Sequence, residues 1–187
     1  MSKPIKYSVP KQIRSLTFTH LCCDFVMTFL AFTFLGLADK HIAVKIILNI
    51  ILIAIYFMWI FASAYECATS DHKHYTPLTP YPAKGALLST GIIILTAAVW
   101  IYYFLAWKLM PMGETFVLPT FISTVLYIFI TSPFFGLVNV SGGSANIIGQ
   151  ICTLIIPFAA CTFGYFCGYK KWDYTKYMKV LMFEKKK

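Results

Sequence analysis

The sequence predicts an all-α polytopic membrane helix bundle, and three observations support this fold class. The 187 residues are 59% hydrophobic, with a mean hydropathy of +0.71, whereas soluble domains are usually about 45–50% apolar. The apolar residues are gathered in runs long enough to cross a hydrocarbon core of about 30 Å. Lysines concentrate at both ends of the chain, beside apolar runs, where they act as orientation signals.

Five apolar segments are predicted to be helices of membrane-spanning length, at about 1.5 Å of rise per residue. The first is too long for the apolar core of a signal peptide, so we expect it to remain as a span. The segments run approximately over Leu16–Leu37, Ile42–Ala64, Ala86–Trp107, Phe116–Leu137 and Ala145–Gly168.

The fourth segment is the one that we expect not to cross. It contains Pro119 and Pro133, and Pro133 interrupts a helix within the stretch TSPFFG. Both termini are basic and are therefore predicted to be cytoplasmic, which requires an even number of crossings. The preferred arrangement has four spans, with Phe116–Leu137 re-entrant or packed on the external side. Five true spans are the alternative.

The chain divides into a transmembrane helical domain, residues 1–168, and a basic tail, residues 169–187. Apolar residues of the tail recur with helical spacing, which predicts an amphipathic helix on the cytoplasmic leaflet. The lysines of the tail outnumber its acidic residues and favour anionic lipids. The apolar face of this helix is predicted to contain Tyr174, Tyr177, Met178, Leu181 and Met182.

A polar intramembrane pocket is predicted around His20 and Asp24, which are four residues apart and share one helix face. A charged side chain at the centre of a span costs about 2.5–3.5 kcal/mol on insertion scales and usually faces the bundle interior. Matching of depths predicts Tyr56 and Thr90 as partners. The pair is either a proton or cation relay, or part of a substrate pocket, or a neutral hydrogen-bonded contact between helices.

A second candidate site is the polar turn before the last segment. Backbone N–H groups at a helix start can bind an anion or a carbonyl group. A simple turn with a capped helix is the alternative interpretation. The residues predicted for this ligand turn are Asn139, Ser141, Gly142, Gly143, Ser144, Asn146 and Gln150.

The sequence predicts no catalytic residue, metal site or cofactor. It contains no GxSxG, HExxH, P-loop or Rossmann glycine pattern. Asp24 is the only carboxylate well inside a predicted span, which excludes an aspartate dyad within one chain. Cys22 and Cys23 point about 100° apart on a helix, and the loop around His72 and His74 lacks paired cysteines or an HxxxH spacing.

The ends of three segments resemble those of small multi-span membrane proteins of Gram-positive bacteria. The resemblance implies a bacterial membrane protein and no particular activity. The matching residues are Ala64, Asp71, Lys84-Gly85, Gly168-Tyr169-Lys170 and Lys185–Lys187.

The expected function is that of a transport-related component, or a subunit of a larger complex, in the cell membrane. The alternative is a non-transporting interaction protein, such as an assembly, immunity or regulatory factor. Expected partners are the bilayer, anionic lipids of the inner leaflet, and a protein partner or a second copy of the chain. The net charge is +9, and the basic residues lie beside the spans. The sequence contains no basic-aromatic module for nucleic acid, so no nucleic acid is expected as a partner.

Overall fold

The structure is a computed structural model that describes residues 8–37, 42–73, 78–109, 117–134 and 147–172. These residues form α-helices and no strand, which confirms the predicted all-α bundle. All five α-helical segments among them are long and apolar enough to cross a membrane. The helices are α1 (Val9–Leu37), α2 (Ile42–Asp71), α3 (Lys84–Leu109), α4 (Val117–Thr131, continued by a 3-10 turn over Ser132–Phe134) and α5 (Ile147–Tyr169).

The surface of the bundle is apolar. Phe18, Phe29 and Phe32 on α1 are 66%, 61% and 64% exposed, and large apolar side chains are also exposed on the other four helices. Several polar side chains, by contrast, are buried between the helices. This distribution suits a protein surrounded by lipid. The chain is an integral membrane protein.

Two helices are longer than their apolar segments. α1 begins at Val9 and not near Leu16, and α2 continues to Asp71, beyond Ala64. The predicted second segment, Ile42–Ala64, therefore ends too early, because residues 65–71 are also helical. The added turns contain polar residues that hydropathy assigns to water, but in the bundle some of them are buried against other helices.

One end of the bundle, which we call the basal end, is marked by a contact among four helices. Gln12 of α1, Lys84 of α3 and Tyr165 of α5 all bond to Asp71 at the end of α2. Helices α1 and α3 therefore begin at the basal end, whereas α2 and α5 finish there. The described chain thus enters and leaves the bundle at the same end, as an even number of crossings requires.

Helix α4 starts at the opposite, distal end and runs antiparallel to α3. The Thr120 hydroxyl donates to the carbonyl oxygen of Ala106 at 3.2 Å. The rings of Tyr103 and Tyr127 stack with their centroids 4.1 Å apart. Helix α5 begins beside the second half of α4, because Gln150 in its first turns donates to the Tyr127 hydroxyl at 3.2 Å.

Helix α4 ends in the middle of the bundle. Its 3-10 turn places the Ser132 hydroxyl 3.2 Å from the carbonyl oxygen of Asp24 and the Phe134 ring edge-on to Tyr56. Asp24 lies twelve positions above Gln12 on α1, or about 18 Å at 1.5 Å per residue. α4 and α5 thus both start towards the distal end, and α4 stops halfway. These contacts favour four crossings with a re-entrant fourth helix over five crossings.

The end of α4 also agrees with the proline pattern. The α-helix stops at Thr131, two residues before Pro133, and the 3-10 turn carries the proline. A proline lacks the N–H that would continue the helix and disfavours helical geometry in the preceding residue. Backbone groups freed in this way at membrane depth need cover from protein or water. Ser132, Pro133 and Phe134 have that cover, because all three are buried.

Small residues let α5 pack closely against α2 and α3. A Cβ atom on Gly164 would collide with the carbonyl oxygen of Phe61 on α2. A Cβ atom on Gly85 of α3 would lie 2.7 Å from the carbonyl oxygen of Cys161 on α5. Small residues at helix interfaces are the usual means of close packing in membranes, where no hydrophobic force draws helices together.

Cysteine labelling tests the four-crossing arrangement. We expect Ser8→Cys and Trp172→Cys to react with an impermeant maleimide from one side of the membrane and Lys108→Cys from the other side, because residue 108 lies near the distal end of α3. The labelling of the unsubstituted chain, which has six cysteines, is the control to subtract. Reaction of Ser8→Cys and Trp172→Cys from opposite sides would contradict four crossings.

Candidate functional site

One stripe of α1 carries the polar residues of the bundle interior. Gln12, Leu16, His20 and Asp24 follow each other at intervals of four and are 5%, 1%, 1% and 0% exposed. Residues four apart lie on the same helix face. The opposite face carries exposed phenylalanines, so this stripe belongs to the side of α1 that packs against protein. The prediction that Asp24 faces protein and not lipid is confirmed.

His20, Asp24 and Tyr56 form a group that we call the central cluster. The Tyr56 hydroxyl on α2 is hydrogen-bonded to Nδ1 of His20 at 3.0 Å. The other ring nitrogen of His20, Nε2, lies 3.2 Å from Oδ2 of Asp24. Because a neutral imidazole donates from one nitrogen and accepts at the other, His20 can connect the Tyr56 hydroxyl to the carboxyl group. Tyr56 is fully buried.

The carboxyl group of Asp24 has unused hydrogen-bonding capacity. Neither of its oxygens, nor Nε2 of His20, has a hydrogen-bond partner in the described part of the chain. The contact of 3.2 Å between His20 and Asp24 is thus an ion-pair distance without the alignment of a hydrogen bond. Buried polar groups are normally satisfied, and a carboxylate at this depth is costly unless it gains a proton or a partner. The site is suited to taking up a proton.

Other polar groups occur at the same height. The buried Thr96 of α3 lies twelve positions above Lys84, as Asp24 lies twelve above Gln12, which is about 18 Å in both cases. Oγ1 of Thr96 also lacks a partner among the residues that the structure describes. Ser132 at the end of α4, whose hydroxyl contacts the Asp24 carbonyl oxygen, adds a polar group from a fourth helix at the same height.

Of the two predicted partners of His20 and Asp24, one belongs to the central cluster and the other does not. Tyr56 contacts His20 as the depth argument suggests, but Thr90 does not join the cluster. Its hydroxyl donates within α3 to the carbonyl oxygen of Leu87 at 2.7 Å. Thr90 lies six positions above Lys84, or about 9 Å, which is half the height of Asp24.

Most of the predicted ligand turn falls outside the described residues. This applies to Asn139, Ser141, Gly142, Gly143, Ser144 and Asn146. Gln150 is described: it is buried in α5, and its side-chain nitrogen bonds to the Tyr127 hydroxyl of α4. The predicted amphipathic helix of the tail also lies outside the described residues.

A second buried polar group, the basal cluster, consists of Gln12, Asp71, Lys84 and Tyr165. The Lys84 ammonium lies 2.6 Å from Oδ2 of Asp71, and the Tyr165 hydroxyl donates to the same oxygen at 2.6 Å. Nε2 of Gln12 donates to Oδ1 of Asp71 at 2.7 Å. Lys84 is 1% and Asp71 3% exposed, so the ion pair is withdrawn from water and supported by two neutral donors.

Sequence reasoning did not predict the basal cluster as a site. Asp71 and Lys84 are separated by thirteen positions with three prolines between them, and charges beside a span are usually solvated. The contact between Asp71 and Lys84 ties the end of α2 to the start of α3.

Metal-ligating side chains do not cluster in the described ranges, where no group of three or more His, Cys, Asp or Glu could hold an ion. In the HxH segment, a ring nitrogen of His72 lies 3.1 Å from the carbonyl oxygen of Tyr169. His74 lies outside the described residues. Cys22 is exposed and Cys23 is buried, so the two adjacent thiols face different surroundings.

Comparison with known proteins gives no relative: no family model, no curated protein and no solved structure matches the chain.

Proposed function

We propose that this membrane protein is a transport-related component whose central cluster takes up and releases a proton within the bundle. The observation that carries the proposal is the fully buried Asp24 carboxyl group, which lacks a hydrogen-bond partner among the described residues and lies 3.2 Å from His20. Ionisable groups inside a bundle commonly serve as proton relays in pumps and transporters.

The arrangement of the three side chains supports proton exchange and not simple packing. Asp24 can hold the proton as a neutral acid or pass it to Nε2 of His20. The ring that accepts this proton carries its own hydrogen on Nδ1, and the Tyr56 hydroxyl accepts a hydrogen bond from that N–H before and after the transfer. A group that served only as packing would be expected to have its hydrogen bonds satisfied.

The proposed location is the cell membrane of a bacterium, with both termini in the cytoplasm. The basic flank of α1 and the lysines after α5 belong to the same end of the bundle, because Gln12 and Tyr165 meet at Asp71. Positive residues favour the cytoplasmic side, so the basal end is the inner one. Anionic lipids at that leaflet, and a protein partner or second copy, are the proposed partners.

The second candidate function is that of a non-transporting interaction protein. It is favoured by an apolar groove of about 430 Å³ on α2 and α5, where apolar side chains of another protein could pack. The groove is lined by Ile50, Ile53, Ala54, Phe57, Met58 and Ile156. An interaction protein of this kind needs no proton exchange at Asp24.

Infrared titration of the purified protein tests the proposal. A carboxyl band that appears and disappears with pH is expected in the unsubstituted protein and is expected to be absent in Asp24→Asn, since asparagine keeps the shape but binds no proton. His20→Ala should shift the pH at which the band changes. Thr33→Val, on the exposed face of the same helix, is the matched control.

The opposite result would favour the interaction protein. If no band titrates, or if Asp24→Asn leaves the titrating bands unchanged, the central cluster is a structural contact between helices and the proton function is wrong.

A further inference from the structure

A polar cleft lies between α1 and α2 at the basal end. It has a volume of about 360 Å³, large enough for several water molecules. Its lining includes hydroxyl, amide and carboxylate groups, although the helix turns that carry them belong to the apolar spans α1 and α2. The lining residues include Gln12, Ser15, Leu16, Thr19, Ser63 and Glu66.

The cleft presents hydrogen-bond acceptors. The hydroxyls of Thr19 and Ser63 each donate to a carbonyl oxygen of their own helix at 3.0 Å, so their lone pairs remain for other donors. Gln12 is 95% buried, with 5% exposure, and its Oε1 atom has no partner within the described ranges. Acceptors of this kind suit water and a hydrated proton.

The charges at the cleft are mixed. Glu66 is exposed and supplies a carboxylate, while Lys11 also contributes to the lining and is exposed. Lys11 has an interaction of its own. The lining residues Gln12, Ser15, Thr19 and Ser63 carry an amide or a hydroxyl and no charge.

The cleft ends close to the central cluster. Gln12 and Leu16 form part of its wall and belong to the same α1 stripe as His20 and Asp24. His20 lies four positions beyond Leu16, which is about 6 Å along the helix. Leu16 is 1% exposed and is the one residue of this stripe between Gln12 and His20, so on this stripe an apolar side chain stands between the cleft amide and His20.

We propose that this cleft is the route by which protons from the basal side reach His20 and Asp24, with Leu16 as the barrier between the cleft and the central cluster. The inference rests on the proposed function and specifies its regulation: exchange occurs with the basal side and is limited by Leu16. Water-filled clefts that stop short of a buried acid expose it to one side of the membrane only.

The first test is the reactivity of a cysteine in the cleft. In a Cys67→Ser background, because Cys67 also lines the cleft, Thr19→Cys should be modified by a membrane-impermeant, positively charged methanethiosulfonate. Thr33→Cys, on the exposed face of the same helix, should react far more slowly because lipid surrounds it. A Thr19→Cys as unreactive as Thr33→Cys would overturn the proposal.

The second test measures how quickly the Asp24 carboxyl group exchanges its hydrogen for deuterium, followed as the shift of its infrared band in heavy water. Ser15→Leu and Ser63→Leu, which fill the cleft, should slow the exchange several-fold. Leu16→Ala, which removes the barrier, should accelerate it several-fold. Thr33→Leu should have no effect. Exchange rates that stay unchanged in both the filled and the opened variants would overturn the proposal.

The failure of this inference differs from the failure of the proposed function. If the carboxyl band titrates but its hydrogen exchange is the same in the cleft variants as in the unsubstituted protein, the proton function stands and the route through the cleft is wrong. If Asp24 stays protonated at all pH values, the proton function is wrong. The hydrogen exchange of its carboxyl group still shows in that case whether water reaches it through the cleft.

Discussion

Lys84→Met is expected to destabilise the bundle by about 3–5 kcal/mol, because removal of one partner leaves a buried charge without compensation. The Lys84 ammonium and the Asp71 carboxylate are both withdrawn from water and lie 2.6 Å apart. Methionine keeps much of the length of lysine but supplies no charge. The change should appear as a lower midpoint temperature of unfolding in detergent and a smaller yield of folded protein.

Two further variants make this expectation specific. Lys108→Met removes an exposed lysine from the last turn of the same helix and should change stability little. Lys84→Met combined with Asp71→Leu should recover part of the loss, since both charges are gone, although Gln12 and Tyr165 then lack their acceptor. A Lys84→Met protein as stable as Lys108→Met would show that the ion pair does not hold the basal end together.

Gly164→Leu is expected to separate α5 from α2. The first added atom would already collide with the Phe61 carbonyl oxygen, which is backbone and cannot rotate away. Overpacking of a tight core usually costs about 1–3 kcal/mol, and a backbone clash belongs at or above the upper end of that range. Size-exclusion chromatography in detergent should show loss of the monodisperse folded protein.

A matched control lies five positions away on the same helix. Ala159→Leu places the same leucine side chain on the exposed side of α5 and should leave the folded fraction unchanged. Gly164→Ala should be intermediate. If Gly164→Leu elutes and melts like Ala159→Leu, α2 and α5 are not packed through this glycine.

The fold class and one face of α1 could be predicted from the sequence because they depend on local patterns. Apolar runs predict helices whatever their neighbours, and the spacing of His20 and Asp24 determines that they share a face. The interruption of α4 was predictable for the same reason, since Pro133 acts on its own backbone. None of these inferences needs knowledge of which helix packs against which.

The error at Thr90 has a geometric cause. The apolar pattern puts the start of the first span near Leu16, and with that start Asp24 lies only about 12 Å inside the bundle at 1.5 Å per residue. The structure shows that α1 begins at Val9 and that its basal contact is made by Gln12. When depth is counted from Gln12 on α1 and from Lys84 on α3, the residue of α3 at the height of Asp24 is Thr96 and not Thr90.

The basal cluster could not be derived in the same way. Burial of Lys84 depends on the simultaneous arrival of an acid from α2, a phenol from α5 and an amide from α1. The spacing of residues within one helix cannot predict a contact among side chains of four helices. Charged residues at the ends of apolar runs are read as solvated unless tertiary structure shows otherwise.

The order of these residues along the chain has a consequence for assembly. Asp71 and Lys84 belong to consecutive helices, α2 and α3, so each can neutralise the other while the remainder of the chain is still being synthesised. Tyr165 comes from the last helix, and its hydroxyl reaches a carboxylate that is already paired. The Asp71–Lys84 pair can therefore enter the membrane already neutralised, and the arrival of α5, which carries no charged side chain, completes the packing without bringing a new charge into the lipid.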